Sequence, residues 1–178
     1  MRKLLGSLLL LAAVALIPAE SVAQRRATAR PAAAPTRRTQ FGVELDWGSD
    51  TDIGIGARAV FGLQSLFPKT PLDGIVSFDY YFPSGAPAGT SLHFWEINGN
   101  IAYRFRVPRS SLGPYAGGGL NIAHASASAG GVSASNTELG LNLLGGTTFK
   151  AKGVTPFAEI RGVVGNANQV VLTGGVRF

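Results

Sequence analysis

From Phe41 to Phe178 apolar side chains recur at every second position, and helical spacing never takes over. Such alternation sends successive side chains to opposite faces of an extended chain, so this stretch predicts strands. Eight runs carry the pattern. In residues 41–47, Phe41, Val43, Leu45 and Trp47 oppose Gly42, Glu44 and Asp46. In 52–62, Ile53, Ile55, Ala57, Ala59 and Phe61 oppose Gly54, Gly56, Arg58 and Val60. In 74–82, Val76, Phe78, Tyr80 and Phe82 oppose Ile75, Ser77, Asp79 and Tyr81. The run 92–106 sets Trp95, Ile97, Gly99, Ile101, Tyr103 and Phe105 against Glu96, Asn98, Asn100, Ala102, Arg104 and Arg106. Four more follow at 114–124, 136–150, 155–163 and 169–178, richer in glycine. Turn-forming residues fill 48–51, 83–91, 107–113, 125–135 and 165–168. The connection 63–71 is longer than a hairpin needs and is expected to hold a helical turn. Short links between eight strands predict an all-β, antiparallel, up-and-down barrel.

The segment before Phe41 has a different character. Arg2 and Lys3 precede an apolar run from Leu4 to Ile17, and Ser21-Val22-Ala23 offers small residues for a signal peptidase. Residues 1–23 are therefore expected to be a secretory signal peptide, cleaved between Ala23 and Gln24. An uncleaved anchor would need roughly 20 apolar residues to cross as a helix, and the run is about 14. Residues 24–40 are rich in Ala, Pro and Arg with no apolar period, and are expected to form a disordered periplasmic tether. An alternative is an arginine patch that binds anionic cell-wall polymer or lipid headgroups. The formal charge of +6 belongs to these ends. Of sixteen basic residues seven lie before Gln40, and of ten acidic residues one does, so the strand-forming part is neutral. That argues against clustered phosphate binding and hence against nucleic acid as a partner. With no cysteine, lipid modification of an N-terminal cysteine and a disulfide scaffold are both excluded.

Periodicity does not say which face of a barrel is outside. A soluble ligand-binding barrel turns its apolar face inward, and one embedded in lipid turns it outward. The polar face here alternates glycine with Glu44, Asp46, Arg58, Asp79, Glu96, Arg104, Glu138, Glu159, Arg161 and Arg177. Small residues beside charges of both signs suit the narrow lumen of an eight-stranded barrel. If both ends of the barrel segment lie on one side, Phe41, Phe61, Tyr103, Phe105, Phe149 and Phe178 gather at one rim. Trp47, Tyr80, Phe82 and Trp95 gather at the other. Two aromatic girdles are the arrangement expected at the two headgroup layers. Ten residues separate Trp95 from Phe105, which on a strand tilted near 40° spans roughly 25 Å, the height of the apolar band.

The final run places Val170, Leu172, Val176 and Phe178 on one face and finishes on an aromatic residue. This resembles the terminal signature of bacterial outer-membrane proteins. The resemblance covers Phe41 to Phe178 and is to the small outer-membrane β-barrel domain family, including the barrel half of OmpA-type proteins. It extends to phrases such as Gly113-Pro114-Tyr115-Ala116-Gly117-Gly118-Gly119. Full-length OmpA-type chains carry a peptidoglycan-binding domain after the barrel, and none is expected here. The resemblance implies an eight-stranded transmembrane barrel of the bacterial outer membrane. It also implies Phe178, Val176 and Leu172 as a signal for the barrel assembly machinery. Outer-membrane lipids are the expected surroundings, and a monomer is the expected state.

Four chemical readings compete with a structural or surface role. His124, Ser126 and Glu138 are similar in order and spacing to the triad of outer-membrane lipid A 3-O-deacylases, whose serine attacks a lipid ester. By parity Glu138 faces away from the other two, and Ala127 stands where that family has asparagine. His93 has no second ligand at metal-binding spacing. Gly117-Gly118-Gly119 lacks the Gly-Lys-Ser/Thr and helix of a phosphate loop, and suits strand bending instead. A proton or ion path through the lumen charges is a further alternative, set against charges that simply pair to fill the barrel. Surface adhesion would call for long strands or loops, whereas the longest outer connection, 125–135, holds only small residues beside one valine and lacks aromatic or arginine anchors. The expectation is a non-enzymatic structural or surface protein with no cofactor or metal, then a narrow channel, then a surface-binding protein.

Overall fold

A computed structural model of the chain describes residues 38–165 and 168–178. The expected signal peptide, its cleavage point at Ala23 and Gln24, and nearly all of the expected tether lie outside the described residues. Eight strands form one closed barrel in sequence order: β1 (Gln40–Gly48), β2 (Asp52–Gly62), β3 (Leu72–Tyr81), β4 (Thr90–Arg104), β5 (Leu112–Ala129), β6 (Val132–Phe149), β7 (Thr155–Gly165) and β8 (Gln169–Arg177). Every neighbouring pair is antiparallel. β1 and β8 close the sheet from Gly42 opposite Arg177 to Gly48 opposite Val171. Phe41 and Phe178 exchange both backbone hydrogen bonds at the end of that seam, at 3.2 and 2.9 Å. Closure removes the free edges that an open sheet would expose.

The burial pattern is inverted relative to a soluble protein. On β1 the apolar set is exposed, Leu45 at 65%, while Glu44 and Asp46 are buried. The same inversion holds on β6, where Leu139, Leu141 and Leu143 are exposed and Asn142 is buried. An apolar outer belt over a polar interior is stable only where the surroundings are themselves apolar. We call the end holding Gln40 and Arg177 the base and the opposite end the tip. Phe41, Tyr103, Phe105, Phe149 and Phe178 are exposed near the base. At the tip Trp95 stacks between Phe78 and His124, with ring centroids 6.1 and 5.0 Å away. A minor apolar cluster of Val60, Ile75, Ala102, Tyr115 and Leu144 fills the lumen toward the base.

One expectation changes. Residues 125–135 are not a loose connection: β5 and β6 run on as 18-residue strands, paired from Ser126 opposite Ser135 to Ala129 opposite Val132. The turn is Gly130-Gly131, both at positive φ, 59° and 83°, which a two-residue hairpin of the right twist requires. Serine and alanine carry too little hydropathy contrast for their alternation to be seen, but the glycine pair was a readable hairpin signal. At 63–71 the expected helical turn is present. Phe67 N donates to Leu63 O at 2.8 Å, one isolated turn of an α-helix, before β3 begins.

Candidate functional site: the polar lumen

Register, more than sequence distance, builds the lumen. Glu44, Gly56, Asp79 and Glu96 stand side by side on β1 to β4 as successive ladder partners. Three carboxylates in one row repel one another, and two arginines relieve them. Arg58 donates through Nε to Glu44 and through both terminal nitrogens to Glu159 at 3.2 Å each. Its guanidinium also lies 4.1 Å from the centre of the Phe157 ring. Tyr115 adds a hydroxyl donor to Glu159 at 2.8 Å. Arg161 reaches across the barrel from β7 to Asp79 at 3.2 Å and Glu96 at 3.1 Å. Gln169 donates to the other oxygen of Glu96.

Amides complete the filling. Asn98 donates to Asp79 at 2.8 Å, while Asn121 and Asn142 donate to the Asn98 carbonyl at 2.9 and 2.8 Å. Asn142 also reaches Asn100 at 2.9 Å. A charge taken from water into such an interior costs several kcal/mol unless it is paired, so this connected network is what makes a polar core tolerable. Gly117 and Gly119 serve it indirectly. A Cβ on either would run into the β4 backbone at Ile101–Ala102 or Gly99–Asn100, so glycine there permits close strand approach.

The charged residues expected in the lumen divide into three groups. Glu44, Asp46, Arg58, Asp79, Glu96, Glu159, Arg161 and Arg177 are buried. Arg104 sits at the base, about one-third exposed, paired with Asp73 at 2.9 Å. Glu138 departs from the expectation: it keeps inward parity but lies at the tip, half-buried, where it accepts from Asn136 at 2.7 Å. Its distance from the arginines follows from β6 rising beyond the packed lumen. Sequence reading missed Asp73, because β3 starts two residues before its predicted first residue. It also passed over the asparagines, whose inward parity was the available signal.

The triad-like residues are not brought together. His124 Nδ1 is hydrogen-bonded to Thr137 Oγ1 at 2.8 Å, its ring lies on Trp95, and the Glu138 carboxylate accepts from Asn136. His93 Nδ1 is bonded to the Tyr80 hydroxyl at 2.7 Å.

A cavity opens at each end. The one at the base, about 870 Å³, is lined by Lys69, Arg104, Arg106, Lys150 and Arg177 among others. The one at the tip, about 570 Å³, lies between Leu92, His93, Phe94, Ser126 and Asn136. Beside it Ser84 donates to Asp52 from its backbone N at 2.8 Å and its hydroxyl at 2.6 Å, which holds that exposed carboxyl below the usual aspartate range.

This architecture is that of the small eight-stranded transmembrane barrels. No family model matches the chain, and no curated protein matches it in sequence. Solved structures do. The N-terminal β-barrel domain of Pseudomonas aeruginosa OprF matches with a TM-score of 0.60 at 16% identity, over 78% of this chain and 96% of that one. Neisserial surface protein A matches at 0.55 and 23% identity, over 78% and 94%. Ail, the attachment invasion locus protein of Yersinia pestis, matches at 0.54 and 16%, over 79% and 96%. At these identities the likeness is one of fold: the chain has the fold of small outer-membrane barrels.

Proposed function

We propose that this is an outer-membrane barrel protein with a structural or surface role, its lumen closed to ions and no reaction catalysed. The closed lumen rests on one observation: Arg58 and Arg161 each reach across the barrel to carboxylates on other strands, and three of those carboxylates, Glu44, Asp79 and Glu96, stand in one ladder row. The cavities at base and tip share no lining residue. The non-enzymatic reading is supported by His124, which is bonded to a threonine rather than to a carboxylate. On this reading the barrel is a monomer among outer-membrane lipids, inserted by the assembly machinery through Leu172, Val176 and Phe178. Its base and the 24–40 tether face the periplasm. Planar-bilayer recording of the refolded protein is the test. The expected result is no discrete conductance above that of empty bilayers. Reproducible ion steps that change size in Arg161→Ala would overturn the closed lumen in favour of a narrow channel.

The β5–β6 hairpin and the cleft at its foot favour a second reading, binding at the cell surface. Ail, of the same fold, is an attachment protein by name and has been solved with the heparin analogue sucrose octasulfate. Cells displaying the chain with residues 125–135 replaced by a short turn would lose attachment to a host-cell layer if this second role holds, and would attach equally if it does not.

A further inference from the structure

We propose that Glu44, Asp46 and Asp79 form a buried site for a hard divalent cation, of which calcium is the best fit. One oxygen from each lies within 4.8 Å of the others, and all three residues are buried. Each carboxylate has one oxygen fixed and one left over. Glu44 Oε2 accepts from Arg58, Asp46 Oδ1 from Thr173, and Asp79 Oδ2 from Asn98, Ser77 and Arg161. The remaining atoms, Glu44 Oε1, Asp46 Oδ2 and Asp79 Oδ1, are shielded from solvent and no donor of the protein reaches them. The residues are 96, 97 and 100% buried, by exposures of 4, 3 and 0%. Buried acceptors are almost always satisfied, so three left over call for a partner that the protein's own donors do not supply, and a cation serves all three at once. The bonds to the opposite oxygens do the work that outer-shell groups do around metals, fixing how the ligands point.

Gly56 is a second, independent sign. It stands between Glu44 and Asp79 in the ladder, and a Cβ there would collide with Asp79 Oδ1 and come within 2.9 Å of Glu44 Cγ. Without that carbon two like-charged groups are free to converge on one space. The charge balance agrees. Among the described residues six buried carboxylates (Glu44, Asp46, Asp73, Asp79, Glu96, Glu159) face three buried guanidinium groups (Arg58, Arg161, Arg177) and Arg104, which pairs with Asp73 at the base. One divalent ion cancels the excess of two negative charges. All-oxygen ligation selects calcium or magnesium over softer metals. Calcium–oxygen distances of about 2.3–2.6 Å put opposed ligands roughly 5 Å apart, whereas magnesium needs a tighter, near-ideal octahedron.

The test is radioactive calcium uptake by the full chain, refolded in detergent micelles after chelation and dialysed against millimolar calcium. Folding is scored by the mobility difference between unheated and boiled samples. One ion per folded barrel is expected, with a higher melting temperature in calcium than in chelator. Asp46→Asn and Gly56→Ala should each weaken uptake by roughly tenfold or more, while Glu138→Gln, at the tip, should not. If either variant fails to fold, the other and the wild type still decide. A folded wild-type barrel that takes up no calcium overturns the site, as it would if protons alone neutralise the three carboxylates. Uptake unchanged in a folded Asp46→Asn or Gly56→Ala barrel overturns it equally.

Discussion

The middle of the barrel and the β5–β6 hairpin are made from the same alternating chain, yet they obey different rules. Around Arg58 and Arg161 every second residue is enclosed by seven other strands, and a wrong side chain there has nowhere to go. In residues 132–137 both faces are exposed, because β7 stops opposite Gly140 and leaves this part of β6 paired on one side only, to β5. Alternation therefore dictates burial only where the sheet closes around it. Beyond that level it dictates only that the chain is extended.

Three substitutions sharpen this contrast. Arg161→Leu should have the largest effect, since it leaves Asp79 and Glu96 buried without their guanidinium. Breaking such a pair costs about 3–5 kcal/mol, so in urea titrations the folded gel band should vanish at much lower denaturant. A fold as resistant as wild type would mean that the arginine is not what neutralises the row. An intermediate effect is expected from Leu141→Arg, which places a charge on the outer apolar belt. About 2–4 kcal/mol is the usual cost near the middle of a bilayer. The matched change Val132→Arg, on the exposed hairpin, should stay within about 0.5 kcal/mol in the same vesicle-refolding assay. Equal costs at the two positions would show that the hairpin is also immersed in lipid.

The smallest effect belongs to Asp52, at φ 62° in the tip turn, where it ties residue 84 to β2. Its folded carboxyl titrates below the unfolded one, so its contribution is present above the ordinary aspartate range and fades as pH falls through the depressed value. Asp52→Asn should speed protease cleavage within 82–91 at neutral pH and leave barrel melting unchanged. Wild type should approach the same cleavage rate only in acid. A variant cleaved no faster than wild type would show that the Ser84 contact does not hold the loop.

Much of the fold was legible before any coordinates. Period-two spacing names the strands and assigns Leu45 outward and Asp46 inward, because parity is a local property of an extended chain. Strand count and short links then give the meander, and aromatic positions give the rims. What parity cannot supply is neighbours across the sheet. Asp46 and Asp79 are 33 positions apart, and nothing in their local sequence says that they face one space. Only the β1–β2–β3 register, with Gly56 between Glu44 and Asp79, brings those oxygens together. How far β5 and β6 run on as strands was hidden as well, since Ser and Ala alternate without contrast, although Gly130-Gly131 marked the turn. The sequence by itself determined the inside, the outside and the order of strands. The tertiary structure decided which charges meet, because hydrogen-bonded register is set by the closure of the whole barrel and not by any one strand.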